Sequence, residues 1–155
     1  MKLRPHHLID IVCDYGQGAA FEPHPYGHAV HTVAARVIED PDMEVEFVVA
    51  ADDICVPCRH LQVDGQCDDV LSQLAEPVSK QSYNDGLDHK VLAFLEMQPG
   101  VQMTVSEFLD RLDAHMPGIA EVCTHPGEKQ RHRLGGLRKG LLKFAEKRGN
   151  DTCPR

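Results

Sequence analysis

A chain of 155 residues with 26% charged side chains is long enough for one domain with a single apolar core and polar enough to fold in water. It lacks the roughly 18 to 20 consecutive apolar residues of a membrane span, and its opening apolar run, interrupted by Asp10, is too short for a signal peptide. We therefore expect a cytoplasmic protein without membrane association, with one domain over residues 1–149 and a tail at 150–155.

The first half of the chain predicts two helices and one strand. Pro5 is suited to the first turn of a helix that ends at Gly16 and Gly18. Apolar residues at helical spacing predict a second helix from Gly27 to Glu39. Residues 44–50, EVEFVVA, are rich in β-branched side chains and predict a strand that leads into a cysteine-rich loop.

The second half predicts four helices, each bounded by a capping residue, a proline or a glycine. They are expected at Asp68–Leu74, at Asp85–Met97, from the Thr104–Glu107 capping box to Pro117, and after Pro126. Gly135 and Gly136 are expected to weaken the last helix by about 1 kcal/mol each relative to alanine. The predicted fold class is α+β, predominantly helical: a compact single domain with a small β element and a Cys-rich loop.

The loop DDICVPCRHLQVDGQCDD, residues 52–69, contains three of the six cysteines at Cys-x2-Cys-x8-Cys spacing. Cys55 and Cys58 bracket a tight turn, and Asp64-Gly65 lets the chain reverse so that Cys67 returns to the same centre. In a reducing compartment this spacing indicates a metal more often than a disulfide. Three soft ligands suit Zn²⁺ or an iron–sulfur cluster, so these three cysteines are the predicted metal ligands.

Either metal needs a fourth ligand that the three cysteines do not supply. His60, inside the loop, would favour Zn²⁺, whereas a remote thiolate would favour a [4Fe–4S] cluster. The remote candidates are Cys123 and Cys13, with Cys153 in the tail as a third. Free thiols or disulfides without a metal are the alternative, which the polar surroundings of the loop disfavour.

The opening LRPHHLID predicts a second group of functional residues. Neighbouring histidines on a helix diverge by about 100°, so His6 and His7 do not face one point. His6, Asp10 and Cys13 share a helix face. We interpret His6, His7 and Asp10 as catalytic candidates beside the metal, with Asp10 orienting or deprotonating a partner. The alternative is that Arg4 and the two histidines only cap the helix. His28 and His31 are expected to be exposed.

The net charge of −8 is unevenly distributed. From Glu128 to the end there are nine Lys or Arg and three Asp or Glu, about +6, which leaves about −14 on residues 1–127. The acidic body and the absence of tryptophan argue against a nucleic-acid partner. The basic side chains of the last helix fit a solvated face, and the N–H groups near Gly127 offer the alternative of a site for a small anionic substrate.

The opening Leu3-Arg4-Pro5-His6-His7-Leu8 and the cysteine loop resemble a small bacterial and archaeal family of uncharacterised proteins. That family begins with Arg-Pro-His-His, carries a similar cysteine loop and has been suggested to bind iron–sulfur. The likeness covers about residues 3–123, and it favours a cluster over zinc without implying a reaction. It carries over to Cys55, Cys58 and Cys67, to Cys123 as the remnant of a second Cys-rich segment, and to Cys13 only by a shift of one helical turn.

Three hypotheses follow. The first is a [4Fe–4S] protein that either has a redox or sensing role or carries out Lewis-acid chemistry on a small substrate. A redox role would require a redox partner. The second is a Zn²⁺-binding structural or interaction module without catalysis. The third is a metal-independent enzyme that uses His6, Asp10 and Cys13. Neither the oligomeric state nor a particular reaction follows from the sequence.

Overall fold

The structure, a computed structural model, describes residues 1–72 and 74–151, with side chains as far as Gly149. The fold is α+β and predominantly helical, as predicted. No helix in these residues is both long and apolar enough to cross a membrane. Cys153 and the end of the predicted tail lie outside the described residues. The elements are β1 (Lys2–Leu3), α1 (Pro5–Gln17), α2 (Val30–Glu39), β2 (Glu44–Phe47), β3 (Val70–Leu71), β4 (Val78–Ser79), α3 (Lys80–Phe94), β5 (Gln102–Thr104), α4 (Val105–Ala114), α5 (Ile119–Val122) and α6 (Gln130–Asp151).

A three-stranded sheet in the order β1-β2-β5 anchors the N-terminus. β1 is parallel to β2, with Leu3 opposite Phe47, and β5 is antiparallel to β2. Leu3, Val45 and Phe47 are fully buried, which fits the alternating pattern of a strand with one face in the core. The predicted strand at 44–50 ends at Phe47, because the chain then turns back and the Asp53 N–H donates to the carbonyl of Lys2.

α1 packs closely against α6 through three glycines, a role in packing that helix propensity does not predict. A β-carbon on Gly140 would overlap the carbonyl oxygen of Val12, and one on Gly16 would overlap that of Gly136. Gly136 itself has no room for a side chain, because Cys13 lies against it. Only a residue without a side chain permits this approach of two backbones. Gly135 has open space around it.

Two predicted elements differ in the structure because distant segments form backbone hydrogen bonds with them. α2 begins at Val30 rather than Gly27, since the carbonyl of Tyr26 accepts from Arg59 N–H and the N–H of Ala29 donates to Ile54. The predicted helix at Asp68–Leu74 is wrong. Part of that segment is β3, whose Val70 pairs with Ser79 of β4.

The remaining helices enclose the core much as their patterns predict. α3 starts earlier than expected, at Lys80, because the Ser79 hydroxyl accepts from the N–H of Ser82 and caps the first turn. The predicted capping box at the start of α4 is confirmed: Thr104 and Glu107 each accept from the other's backbone N–H. Phe108 of α4 is buried and stacks on Phe47 with ring centroids 4.5 Å apart.

Candidate metal centre

The three predicted cysteine ligands line one cavity of about 510 Å³. Cys55, Cys58 and Cys67 are free thiols, each partly exposed. A turn brings the first two together, with the N–H of Cys58 donating to the carbonyl of Cys55 at 2.8 Å. Gly65 has a φ of 81°, which a glycine adopts without strain, and it returns the chain so that Leu61 and Cys67 form an antiparallel bridge.

The Arg-Pro-His-His segment, which we call the N-terminal motif, reaches the cavity between β1 and the start of α1. Asp52 connects this motif to the cysteine loop. The carboxylate of Asp52 is fully buried. One oxygen accepts from the backbone N–H of Arg4 and from His7 Nδ1, both at 2.7 Å. The other accepts from the N–H groups of Ile54 and Cys55, both at 3.1 Å. A single carboxylate therefore fixes the positions of His7 and Cys55.

Burial alone would raise the pKa of Asp52, but the attraction of His7 and the donated hydrogen bonds hold it well below its usual range. Asp52 is therefore an anion that only accepts hydrogen bonds, so His7 Nδ1 donates to it. Burial alone would lower the pKa of His7, but the attraction of Asp52 and the hydrogen bond to it outweigh burial and raise that pKa. His7 is among the residues that line the cavity.

Among the described residues, one group of three potential metal ligands has its donor atoms within 4.8 Å of one another: His7, Asp52 and Cys55. Burial, followed by the charge of Asp52, raises the pKa of Cys55 to about 12, so without a cation this thiol is protonated. A bound cation reverses that preference, because it stabilises the thiolate.

His6, predicted as a catalytic candidate with Asp10, contacts a different carboxylate. It is buried, and its Nδ1 contacts Asp88 at 2.6 Å. Asp88 also accepts from Arg4 at 2.6 Å, while Arg4 donates in addition to Asp85. Burial lowers the pKa of His6, and the neighbouring His7 lowers it further. His6 is thus part of a buried ionic network that supports the start of α1.

Asp10 lies on the cavity wall formed by α1 and the start of α6. Its oxygens are 3.1 Å from His125 Nε2, and one of them is 2.6 Å from Arg133. The Arg133 guanidinium also donates to Glu128 at 2.8 Å and 3.0 Å. The hydrogen bond that His125 donates to Asp10 raises the pKa of His125 despite its burial. Arg133 is 3% exposed, so it is not part of the solvated face predicted for α6.

The other candidates for a fourth ligand lie in different surroundings. Cys13 is buried against α6, with its Sγ 3.8 Å from the carbonyl of Arg133. Cys123 is fully buried just after α5, and neither thiol is among the lining residues of the cavity. His60 does line the cavity, and its Nδ1 contacts the half-exposed Asp68 at 2.8 Å.

His28 also lines the cavity, although the sequence predicted it to be exposed. His28 stacks on His24 with ring centroids 3.9 Å apart, and burial lowers its pKa to about 4. Within the described residues, its Nδ1 and that of His31 are the buried side-chain nitrogen or oxygen atoms without a hydrogen-bond partner. At neutral pH His28 is therefore an uncharged imidazole.

Sequence reasoning missed three of the residues that shape this cavity: Asp52, His125 and Arg133. Asp52 stands in the motif that contains the cysteines, and its position two residues before Ile54 is a signal for an Asx-type cap on the turn. His125 and Arg133 carry no local signal. Their contacts with Asp10 span 115 and 123 residues, so only the folded chain brings them together.

Residues 24–126, about two thirds of the chain, match the model of a family described as "Protein of unknown function (DUF1284)". The match includes the cysteine loop and Cys123 but not the Arg-Pro-His-His opening. No curated protein and no solved structure shows a significant match to the chain.

Proposed function

The chain belongs to the DUF1284 family, and from the geometry of its cavity we propose that it binds an iron–sulfur centre, a [4Fe–4S] cluster, through Cys55, Cys58 and Cys67. The observation that carries this proposal is that three free thiols from one short loop line a single cavity of about 510 Å³. Thiolates are the common protein ligands of such clusters. The cavity has room for a cluster and for a small molecule beside it.

The spacing of the donor atoms supports a cluster over one zinc ion. In a tetrahedral site with bonds of about 2.3 Å, zinc-bound sulfurs lie less than about 4 Å apart. The three cysteine sulfurs do not form such a group among the described residues, where the compact group is His7, Asp52 and Cys55. A cluster binds each cysteine through a different iron, so its ligands are more widely spaced.

A bound cluster supplies electron transfer, or Lewis-acid chemistry where one iron lacks a thiolate ligand. The protein's own residues give the cavity a second functional wall, since Asp10 orients His125 there and is itself held by Arg133. Both Arg133 and Arg4 are neutralised by carboxylates, so these two groups do not favour an anionic substrate in the cavity.

Anaerobic purification followed by iron and sulfide analysis tests the proposal. We expect the wild type to bind iron and acid-labile sulfide and to absorb broadly in the visible range. Cys55→Ser, Cys58→Ser and Cys67→Ser should each lose most of the iron. Cys13→Ala is the matched control, because it alters a buried thiol outside the cavity and should keep its iron. A colourless wild type without iron after anaerobic reconstitution would overturn the proposal.

Metal analysis of the purified protein also tests for zinc instead of a cluster. The close approach of His7 and Cys55 favours this alternative. An imidazole with thiolates is a common zinc ligand set. About one equivalent of zinc, without iron or sulfide, would identify a structural zinc module instead.

A further inference from the structure

His7 has the geometry of a metal ligand that the cysteine pattern does not reveal. One of its ring nitrogens and the sulfur of Cys55 lie within 4.8 Å of each other, so a metal bound by Cys55 is close to this ring. His7 Nδ1 is bound to Asp52, which leaves Nε2 as the nitrogen to which a metal can bind in place of a proton. Metal-binding histidines commonly bind a carboxylate through the second ring nitrogen in this way.

Asp52 is close to the same point but is better suited to position ligands than to bind a metal. An ionised carboxylate offers about four acceptor sites. Four N–H groups already occupy them: those of Arg4, His7, Ile54 and Cys55. A metal would have to displace at least one of these bonds in a fully buried site.

Two more cavity histidines contact a carboxylate. His125 contacts Asp10, but within the described residues it belongs to no close group of three potential ligands. His60 is the second, and its surroundings are less suitable than those of His7. Its partner, Asp68, is 53% exposed, whereas Asp52 is fully buried, so the ring of His60 is held less firmly. The Nε2 of His60 is 3.5 Å from Arg59 Nε, and a guanidinium at that position repels a cation. Cys13 and Cys123 do not line the cavity.

We propose that His7 is the fourth ligand of the metal centre and that Asp52 is its positioning residue, so that the centre has three thiolates and one imidazole. This inference rests on the proposed function. It gives the Arg-Pro-His-His opening a role: β1 and Asp52 hold its second histidine over the cysteine loop, while its first histidine is bound by Asp88.

Nitrogen hyperfine spectroscopy tests the assignment directly. The wild type, reconstituted anaerobically with iron and sulfide and reduced with dithionite, should show ¹⁴N coupling from a directly bound nitrogen in pulsed electron paramagnetic resonance. Labelling with ¹⁵N-histidine should replace this coupling with that of ¹⁵N. His7→Cys offers a thiolate at the same position, so it should retain its iron and lose the nitrogen coupling.

His60→Ala is the matched control, since it removes a histidine that lines the same cavity and also contacts a carboxylate. It should keep the coupling. Asp52→Asn should lower iron affinity by about 10- to 100-fold in competition with a chelator and change the nitrogen coupling, which a purely structural defect would not do. Circular dichroism of each apo variant confirms its fold.

The outcomes separate the two proposals. If the wild type takes up no iron and sulfide, the proposed function is overturned and the assignment of His7 with it. Two results would overturn only the assignment of His7. In the first, the wild type binds iron and sulfide but shows no nitrogen coupling from histidine. In the second, the nitrogen coupling persists in His7→Cys. Loss of the coupling in His60→Ala would identify His60 as the ligand and would also overturn it.

Discussion

Four histidines in the described part of the chain contact a carboxylate through one ring nitrogen, and this arrangement sets their chemistry. One ring nitrogen donates to the carboxylate, which leaves the other nitrogen for a different partner. Such a contact alone does not show a function, and His7, His60 and His125 differ from His6 in that they line the cavity. The pairs are His6 with Asp88, His7 with Asp52, His60 with Asp68, and His125 with Asp10.

Asp88 is the structural member of this set. It is fully buried and accepts from the guanidinium of Arg4 and from both the backbone and the ring of His6. Removing one partner of a buried ion pair leaves the others desolvated and unpaired, which is far costlier than losing an exposed pair. The network therefore fixes the start of α1 against α3.

We predict that Asp88→Ala lowers the free energy of unfolding by about 3 to 5 kcal/mol, because Arg4 and His6 lose their shared buried acceptor. Asp85→Ala, at a carboxylate that is 34% exposed, is the control and should cost about 1 kcal/mol or less. Urea denaturation of the two apo variants measures both values. Equal losses of unfolding free energy in the two variants would show that Asp88 contributes no more to stability than Asp85.

At the scale of elements, the contact between α1 and α6 depends on glycines, which have no side chain. Gly16, Gly136 and Gly140 allow the two helix backbones to meet where any larger residue would overlap a carbonyl or Cys13. The same contact places Arg133, near the start of α6, within hydrogen-bond distance of Asp10 on α1. The packing of α1 against α6 therefore also forms one wall of the cavity.

Two glycines of α6 should respond to alanine in opposite directions. Gly140→Ala should destabilise the protein by more than 1 kcal/mol, because its methyl group would overlap the backbone of Val12. Gly135→Ala has open space and should stabilise it by up to about 1 kcal/mol through helix propensity. Thermal and urea unfolding of the pair measure the contrast, and a stabilising Gly140→Ala would contradict the packing described above.

At the scale of the whole molecule, the cavity is assembled from segments that are distant in the chain. The N-terminal motif, the cysteine loop, the start of α3 and the segment around His125 all contribute lining residues. Backbone hydrogen bonds fix the loop against β1 and against the segment before α2, as between Asp53 and Lys2 and between Ala29 and Ile54. Backbone hydrogen bonds of the fold therefore position the loop that carries the thiols.

Metal loading should stabilise this assembly, because a ligand that binds only the folded state shifts the unfolding equilibrium. At a free metal concentration of 100 times Kd the gain is about 2.7 kcal/mol, which corresponds to a rise in Tm of about 5 to 10 °C. Anaerobic thermal unfolding with and without reconstitution measures it. Cys58→Ser should show little rise; a full rise in this variant would mean that the stabilising metal binds elsewhere.

The outcome for the individual elements shows what local sequence can predict. The capping box at Thr104 and the start of α1 at Pro5 were correct because their signals are local: a side chain paired with its own helix turn, and a proline in the first turn. The helix predicted at Asp68–Leu74 was wrong, because the pairing of Val70 with Ser79 outweighed a local capping pattern. α2 started late because the cysteine loop uses the backbone of Tyr26 and Ala29.

The sequence by itself determined the fold class and identified the cysteine loop as a candidate site, because apolar periodicity and cysteine spacing are properties of short stretches of the chain. Only the tertiary structure decided that His7 faces the cavity while His6 is bound by Asp88, and that Asp10 pairs with His125 and Arg133. The contacts of His6 and Asp10 join residues at least 82 positions apart, and the contact of His7 with Asp52 joins residues 45 positions apart. Such choices follow from packing, and no local pattern encodes them.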